Sequence, residues 1–572
     1  MTIKQPSSRR SRPMPPAVLQ ILRDATAAHQ AGQFAQAESL YRRALELDGK
    51  QFQVLSMLGI LQAQRGNYPD AEQILRKALK LNPDDAGGQF NYGNVLLGLQ
   101  RFDDALAVFD KALRLNPGLA EAHLNRGNIL MLRKRFEEAV VSFDTAVQIN
   151  PNFAQAYCNR GNALEKMGRL DEALASCNGA LNLNAGNAEF RASRANILSR
   201  LRRYDEALGD ISSALSLQPH SAHFHYNHGN ILIEVKRYHD AIAAFNKALA
   251  VDPGFADAHF NEGLCWLSLG DMERGWRKYE YRFKTSEYPE VKRNFPQPVW
   301  SGDRSINGKT IFIHTEQGFG DTLMNCRYVP LLASMGARVV LEVKPELLRL
   351  MEGLEGVFTL IARGADIPQF DFQCPIMSLP LAFETRLETI PSAVPYLKVP
   401  GESADHWRSK LGDSRFKIGV AWAGNPSFKK DRDRSITLKN ILPVCSVPGA
   451  TFFSLQKDLR DGDAEILNAN PHIRHLGSDL KNFLDTAAVM ESLDLIISSD
   501  TSIVNLAGAL GRPVWILLSF NSDWRWLLDR TDSPWYPTAR LFRKDKSGDW
   551  ASVVDKVSAE LAKTLTGQAR KP

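Results

Sequence analysis

AEAHLNRGNILMLRKRFEEAVVSFDTAVQINPNF, residues 120–153, is followed without a gap by AQAYCNRGNALEKMGRLDEALASCNGALNLNAGN, residues 154–187, and the two segments align position for position. The register extends in both directions at a step of 34 residues: Ala25, Gly59, Gly93, Gly127, Gly161, Ala195, Gly229 and Gly263 share one phase. A second row runs through Ala37, Ala71, Ala105, Ala139, Ala173, Ala207 and Ala241 to Gly275, and a third through Ala44, Ala78, Ala112, Ala146, Ala180, Ala214 and Ala248. A residue without a bulky side chain at fixed phase lets two antiparallel helices approach, and another lets the next unit stack. Pro83, Pro117, Pro151, Pro219 and Pro253 recur at one phase and end each second helix, because proline lacks a donor and clashes with the preceding turn. The rows predict a solenoid of helix pairs. Its last unit, GDMERGWRKYEYRF from Gly270, departs from the pattern and adds Trp276, Tyr279 and Tyr281, which reads as a capping or docking turn.

A chain of 572 residues exceeds one core and divides into at least two domains. Its 44% apolar and 23% charged content describes a globular protein, and a net charge of +6 over this length does not by itself point to nucleic acid. Six cysteines show no CxxC pair and no metal-ligand spacing, so buried free thiols in a reducing compartment are expected. Residues 1–16 carry three arginines and four prolines without an apolar stretch, and read as a disordered leader. No segment reaches the ~18 apolar residues of a membrane-spanning helix, so a cytoplasmic location is expected.

Beyond Phe283 the phase is lost and Pro289, Pro296 and Pro298 cluster, marking a linker at 284–307 after repeats over 17–283. Strand candidates are TIFIHT from Thr310, RVVLEV from Arg338, KIGVAWA from Lys417, ATFFSLQ from Ala450, DLIISSD from Asp494 and PVWILLS from Pro513. Helical stretches between most of them indicate parallel α/β sheets in two Rossmann-like halves, 308–400 and 401–572. In such sheets a ligand sits beyond the carboxyl ends of the strands.

Three motifs fall at such ends. In TEQGFGDTLMNCRYVPLL, Gly318 and Gly320 permit a tight strand-to-helix turn and Asp321 stands near the helix start, where capping alone would also account for it. In AWAGNPSFKKDRDRSITL, the loop carrying Gly424, Asn425, Lys429, Lys430 and Arg434 suits a diphosphate, although a merely solvated loop has the same composition. In SSDTSIVNLAGALGRPVW, Asp500, Thr501 and Ser502 follow a strand and open a helix, where hydroxyls and amides bind phosphate. Gln456 and Lys457, ending another strand, are further nucleotide candidates, and His314 and Glu316 are alternative bases.

Within the repeats, Asn91, Asn125, Asn159, Asn227 and Asn261 form a row interrupted by Ser193, and Asn94, Asn128, Asn162, Asn196 and Asn230 follow three residues later on the same helical face. An amide offers donor and acceptor together, so such a ladder suits an extended peptide backbone; the alternative is that it organises the stack. Arg126, Arg160 and Arg194 recur beside it, as inter-repeat contacts or as an anion-binding stripe.

The repeat rows match the tetratricopeptide consensus over 17–283, and the asparagine rows resemble the ladder of protein O-GlcNAc transferases. That resemblance implies a protein or peptide partner in the groove of an α-solenoid. The carboxyl half resembles the GT-B glycosyltransferases of the bacterial heptosyltransferase type, and with its repeats is similar to a bacterial group of repeat-bearing glycosyltransferase-like proteins. GWRKYEYRF and EQGFGDTLMNCRY carry the resemblance most specifically. It implies an α/β GT-B fold whose second half takes a nucleotide-sugar donor, with Asp321 as general base and Asp500 contacting the donor sugar. Ser502 and Asn505 stand where that family has glycine and histidine, and no DxD metal motif is evident. The expected activity is inverting, metal-independent transfer of a hexosyl or heptosyl group to an acceptor held by the repeats, without cofactor or nucleic acid. The alternative is a non-catalytic scaffold.

Overall fold

Among the described residues, sixteen α-helices follow one another in pairs from Pro16–Gln30 to Met272–Tyr279. The small-residue phase lets them pack because the glycines from Gly59 to Gly229 each face the side chain sixteen positions later: Gly93 meets Phe109, Gly127 meets Phe143 and Gly229 meets Phe245. A methyl group on Gly127 would lie 2.5 Å from the Phe143 ring, which is fully buried. Gly59 receives Leu75 and Gly161 receives Cys177 in the same way. The turn inside each pair places one residue in the left-handed region at the same 34-residue step. Glycine supplies it at Gly32, Gly66, Gly168 and Gly270, whereas Gln100, Lys134, Arg202 and Lys236 adopt it with a side chain. Five of the turns between pairs are closed by a long side chain. Gln89, His123, Arg191, His225 and His259 donate to the carbonyls of Pro83, Pro117, Ala185, Pro219 and Pro253 at 2.8–3.1 Å.

The computed structural model describes residues 14–285, 288, 293–413, 416–428, 431–546 and 548–568. Most of the expected leader lies outside them, but the first helix already begins at Pro16, inside that stretch, with proline in the first helical turn. The chain divides into two compact units, Met1–Asn227 and His228–Pro572, so the division falls well before the 284–307 linker. The reason is packing: Leu267, Met272, Trp276 and Tyr279 share one apolar core with the strands that follow.

In the second unit, β1 (Thr310–His314), β2 (Arg338–Val343), β3 (Val357–Ala362) and β4 (Phe372–Pro375) make a parallel sheet in the order β3-β2-β1-β4. A second parallel sheet contains β5 (Lys417–Ala421), β6 (Thr451–Ser454), β7 (Ile473–His475), β8 (Leu495–Ser499), β9 (Val514–Leu518) and β10 (Ala539–Arg543). Its order is β10-β9-β8-β5-β6-β7. Residues of one face, among them Phe453, Ile496 and Ile516, join the core of the first sheet. The other face, with Val420, Ile497 and Leu517, packs under the helix Ala551–Gln568. All six cysteines are buried thiols outside any disulfide. Among the described residues, no helix is long and apolar enough to cross a membrane.

Candidate functional site

The asparagine rows meet each other. Asn125 donates to Asn94 at 2.7 Å, Asn159 to Asn128 at 2.7 Å and Asn261 to Asn230 at 2.8 Å, each bond joining the first helices of consecutive repeats. The organising role of the amides is therefore present. Asn91 and Asn94 are buried, while Asn125, Asn159, Asn227 and Asn261 keep part of their surface open. On Asn159, Oδ1 accepts a further bond from Gln155.

The arginine row makes inter-repeat contacts. Arg126 spans two second helices, reaching Asp110 at 2.7 Å and Ser142 at 2.6 Å, and Arg160 repeats this with Asp144 and Ser176. At Arg194 the partners exchange character: Asn178 takes the place of the aspartate, and Asp210, in the serine's place, binds the guanidinium through both oxygens at 2.6 and 2.8 Å. Each arginine keeps one carboxylate.

In the α/β region Gly424, Asn425, Arg434, Gln456, Lys457 and Asp500–Ser502 lie at the carboxyl edge of the six-stranded sheet, where β5 and β8 are neighbours and their connections leave in opposite directions, while His314, Glu316 and Asp321 lie at the carboxyl end of β1 in the four-stranded sheet. Thr501 caps the helix Ser502–Ala509 by accepting from the Ile503 amide, and Ser502 is its first residue. Gly424 is small for a reason: a Cβ there would meet Arg434 at 2.5 Å and Asp431 at 2.7 Å. Its amide donates to Ser435, and Asn425 caps Ser427. Arg434 donates to Asp431 and lies over the Phe428 ring, 4.6 Å from its centre. Lys429 and Lys430 lie outside the described residues. Asp500 is partly buried, with Asp523, Arg525, Trp526 and Arg434 around it; burial and the Asp523 carboxylate raise its pKa to about 6.

Four of the expected residues, Gln456, Asp321, His314 and Glu316, are bonded within the protein. Gln456 accepts from the amides of Trp422 and Ala423 and donates to the carbonyls of Ala423 and Asp458. Its amide has no hydrogen-bonding capacity left, so it fixes the loop after β5 from behind. Lys457 is exposed, 3.5 Å from the Lys481 carbonyl. Asp321 accepts from the Gly318 amide at 2.9 Å, the capping role its position allows, and from Arg525 at 2.8 Å. Gly320 packs against the Asn505 amide, where a Cβ would be 2.7 Å away. Asn505 is buried and bonded to Thr501 and Tyr536. His314 is buried and bonded to Gln373, with burial holding its pKa below the usual histidine value. Glu316 receives both Arg282 and Tyr288.

Sequence reading missed Arg525, which donates to Asp321 from one sheet region and to Asp523 from its own loop. The available signal was the run SDWRW, residues 522–526, in the loop after β9, another carboxyl strand end. Among the described residues, no group of three or more His, Cys, Asp or Glu is arranged to hold a metal ion.

Sequence-family profiles described as TPR repeat match residues 93–133 and 127–168, and profiles described as tetratricopeptide repeat match 28–89, 154–187 and 226–279. Protein FlbA of Caulobacter vibrioides is 29% identical over 323 residues, 52% of this chain and 53% of FlbA. The chain thus spans about half the length of this curated relative. YrrB, described as a TPR protein with an unusual peptide-binding site, is 27% identical, with a TM-score of 0.28, over 32% of this chain and 95% of its own. A tetratricopeptide repeat protein of Parabacteroides merdae is 18% identical, with a TM-score of 0.37, over 44% and 99% respectively. Over these residues the helix pairs are tetratricopeptide repeats, a repeat class that implies a protein-interaction role.

Proposed function

We propose that the α/β region binds a nucleotide-sugar at the carboxyl edge of the six-stranded sheet and transfers the sugar to an acceptor presented by the repeats. One observation carries this reading: the Gly424 loop, Arg434, Asp500 and the helix start at Thr501–Ser502 converge where strand order reverses, the place at which doubly wound sheets bind nucleotides. In the reaction the bond between the anomeric carbon and the diphosphate breaks as the acceptor oxygen attacks from the opposite face, and the acceptor's proton passes to a carboxylate. Asp321 is that base once its bond to Arg525 opens, and the diphosphate is the natural competitor for the guanidinium. Arg434 and the amides at the helix start stabilise the departing diphosphate.

A non-catalytic scaffold is the second reading, and a specific observation favours it: both oxygens of Asp321 are already bonded. Calorimetric titration of the full chain with ADP, GDP, UDP and CDP tests the first reading. Binding of one of them that Arg434→Ala weakens supports it, whereas no binding of any favours the scaffold. With a bound donor in hand, Asp321→Asn is expected to slow transfer by roughly 10²–10⁴ with little effect on nucleotide affinity.

A further inference from the structure

The loop after β9 touches the last repeats on one side and the candidate site on the other. Lys236, in the turn of a repeat, lies 4.2 Å over the Phe520 ring, and Tyr238 donates to Asn521 at 2.8 Å. Trp524 stands edge to face with Trp276 of the terminal cap at 5.1 Å and with Trp535 at 6.0 Å. The very next residue is Arg525, which joins Asp321 to Asp523, and Trp526 after it borders Asp500. Trp276 is 1% exposed, and its indole N–H donates to the Thr385 carbonyl in the chain segment that follows β4. One ring is therefore fixed to the first sheet's region by a hydrogen bond and to the second sheet's region by aromatic contact.

A long arginine side chain has many rotamers, and its placement between two aspartates requires that its own backbone be held. Here it lies in no strand or long helix: Trp524–Trp526 is one short 3-10 turn, followed by Leu527 at φ 54°, a left-handed conformation that a branched side chain adopts only under constraint. The constraint comes from the packed rings together with Arg543 of β10, which donates to the Ser522 hydroxyl at 2.7 Å and to the Trp526 carbonyl. We propose that the terminal repeat is a built part of the candidate nucleotide site, with Trp276 as a positioning residue that acts through Trp524 to hold Arg525 between Asp321 and Asp523. The nucleotide aspect rests on the function proposed above, and the structural aspect stands apart from it. A partner gripping the last repeats acts on the same strut.

The test is hydrogen exchange followed by mass spectrometry on the full chain, comparing Trp276→Ala, Trp276→Phe and Tyr238→Phe with the unaltered protein. Trp276→Ala is expected to speed exchange about tenfold or more in peptides covering 519–530 and 318–325, leaving the peptides of β5, β8 and the repeats before residue 218 unchanged. Trp276→Phe, which keeps the edge-to-face contact, restores most of the protection, and Tyr238→Phe loosens 519–530 slightly. Unchanged exchange at 519–530, or an equal rise across the whole α/β region, overturns the proposal, since the first means no strut and the second only general packing. Titration of the same variants with the nucleoside diphosphates separates the two ideas. Absence of binding to the unaltered chain refutes the nucleotide reading while exchange still decides the strut; binding that Trp276→Ala leaves at full affinity shows that the strut does not serve the site.

Discussion

Substituting Gly127 by alanine tests the basis of the repeat most directly. The added methyl would sit 2.5 Å from one Phe143 ring carbon and 2.8 Å from two others, against an ordinary carbon contact of roughly 3.5–4.0 Å. The ring must move by about an ångström, yet it is fully buried among Leu130, Ala163 and Ala139. Overpacking of this size costs about 1–3 kcal/mol. Alanine returns about 1 kcal/mol through its better helix propensity, so the net loss is about 0–2 kcal/mol. The protein itself supplies the remedy, because at the same phase Ala195 is paired with Ile211 sixteen residues on, both fully buried. Phe143→Ile alone leaves a cavity and costs about 1–2 kcal/mol, but combined with Gly127→Ala it recreates the Ala195 pairing. The double variant should therefore be more stable than the sum of the single losses by about 1 kcal/mol or more. Urea unfolding of the four proteins, followed by circular dichroism at constant m, measures that coupling. Additive losses would refute the pairing of small and large residues as the rule that sets the helix spacing.

Three other outcomes follow from repeat-to-repeat comparison. Gly168→Ala should cost about 1–2 kcal/mol and Lys134→Gly should stabilise, because both residues occupy the left-handed turn position, φ 77° and 57°; opposite shifts of the thermal midpoint check this. Asp210→Ser should cost about 1–3 kcal/mol by leaving Arg194 without a carboxylate, while adding Asn178→Asp should recover it, since that pair reproduces Arg160 with Asp144 and Ser176; urea unfolding reads both. His259 is held neutral by burial, assisted by Lys278, whose ammonium donates to Nδ1 at 2.8 Å beside Glu262, Lys284 and the stacked Tyr281 ring. Its folded pKa lies below the ordinary 6.5, so this contribution is complete above pH 6.5 and is lost as the pH falls from there through the lowered value. His259→Gln, which copies Gln89 at the same phase, should make the thermal midpoint less sensitive to pH between about 7 and 5.

The strands legible in the sequence were β1, β2, β5, β6, β8 and β9, and the four overlooked, β3, β4, β7 and β10, are the edges of the two sheets. Interior parallel strands are covered on both faces and read as unbroken apolar runs, as in DLIISSD. Edge strands such as Ile473–His475 and Ala539–Arg543 carry exposed charges and lack that signal. The asparagine rows were visible, but their mutual bond was not, although the residues three positions apart in one repeat stand 31 apart across a junction, as Asn94 and Asn125 do. Asp321 could be placed at a helix start from its glycines, whereas its partner Arg525 comes from 204 positions away, beyond any local pattern. Gln456 was rightly set at a strand end; that its amide turns back toward the loop depends on tertiary packing.

The exchange of partners at Arg194 makes the order of these repeats a written one. If the segment 154–187 were excised, Arg194 would stand between Asp144 and Asp210, two carboxylates for one guanidinium. If the same segment were duplicated, the arginine of the second copy would find Asn178 before it and a serine beside it, and no carboxylate at all. Charge at Arg194 balances only when the segment 154–187 is present once, so at this junction of an array built from units of equal length the loss or gain of that unit is marked by the arginine row.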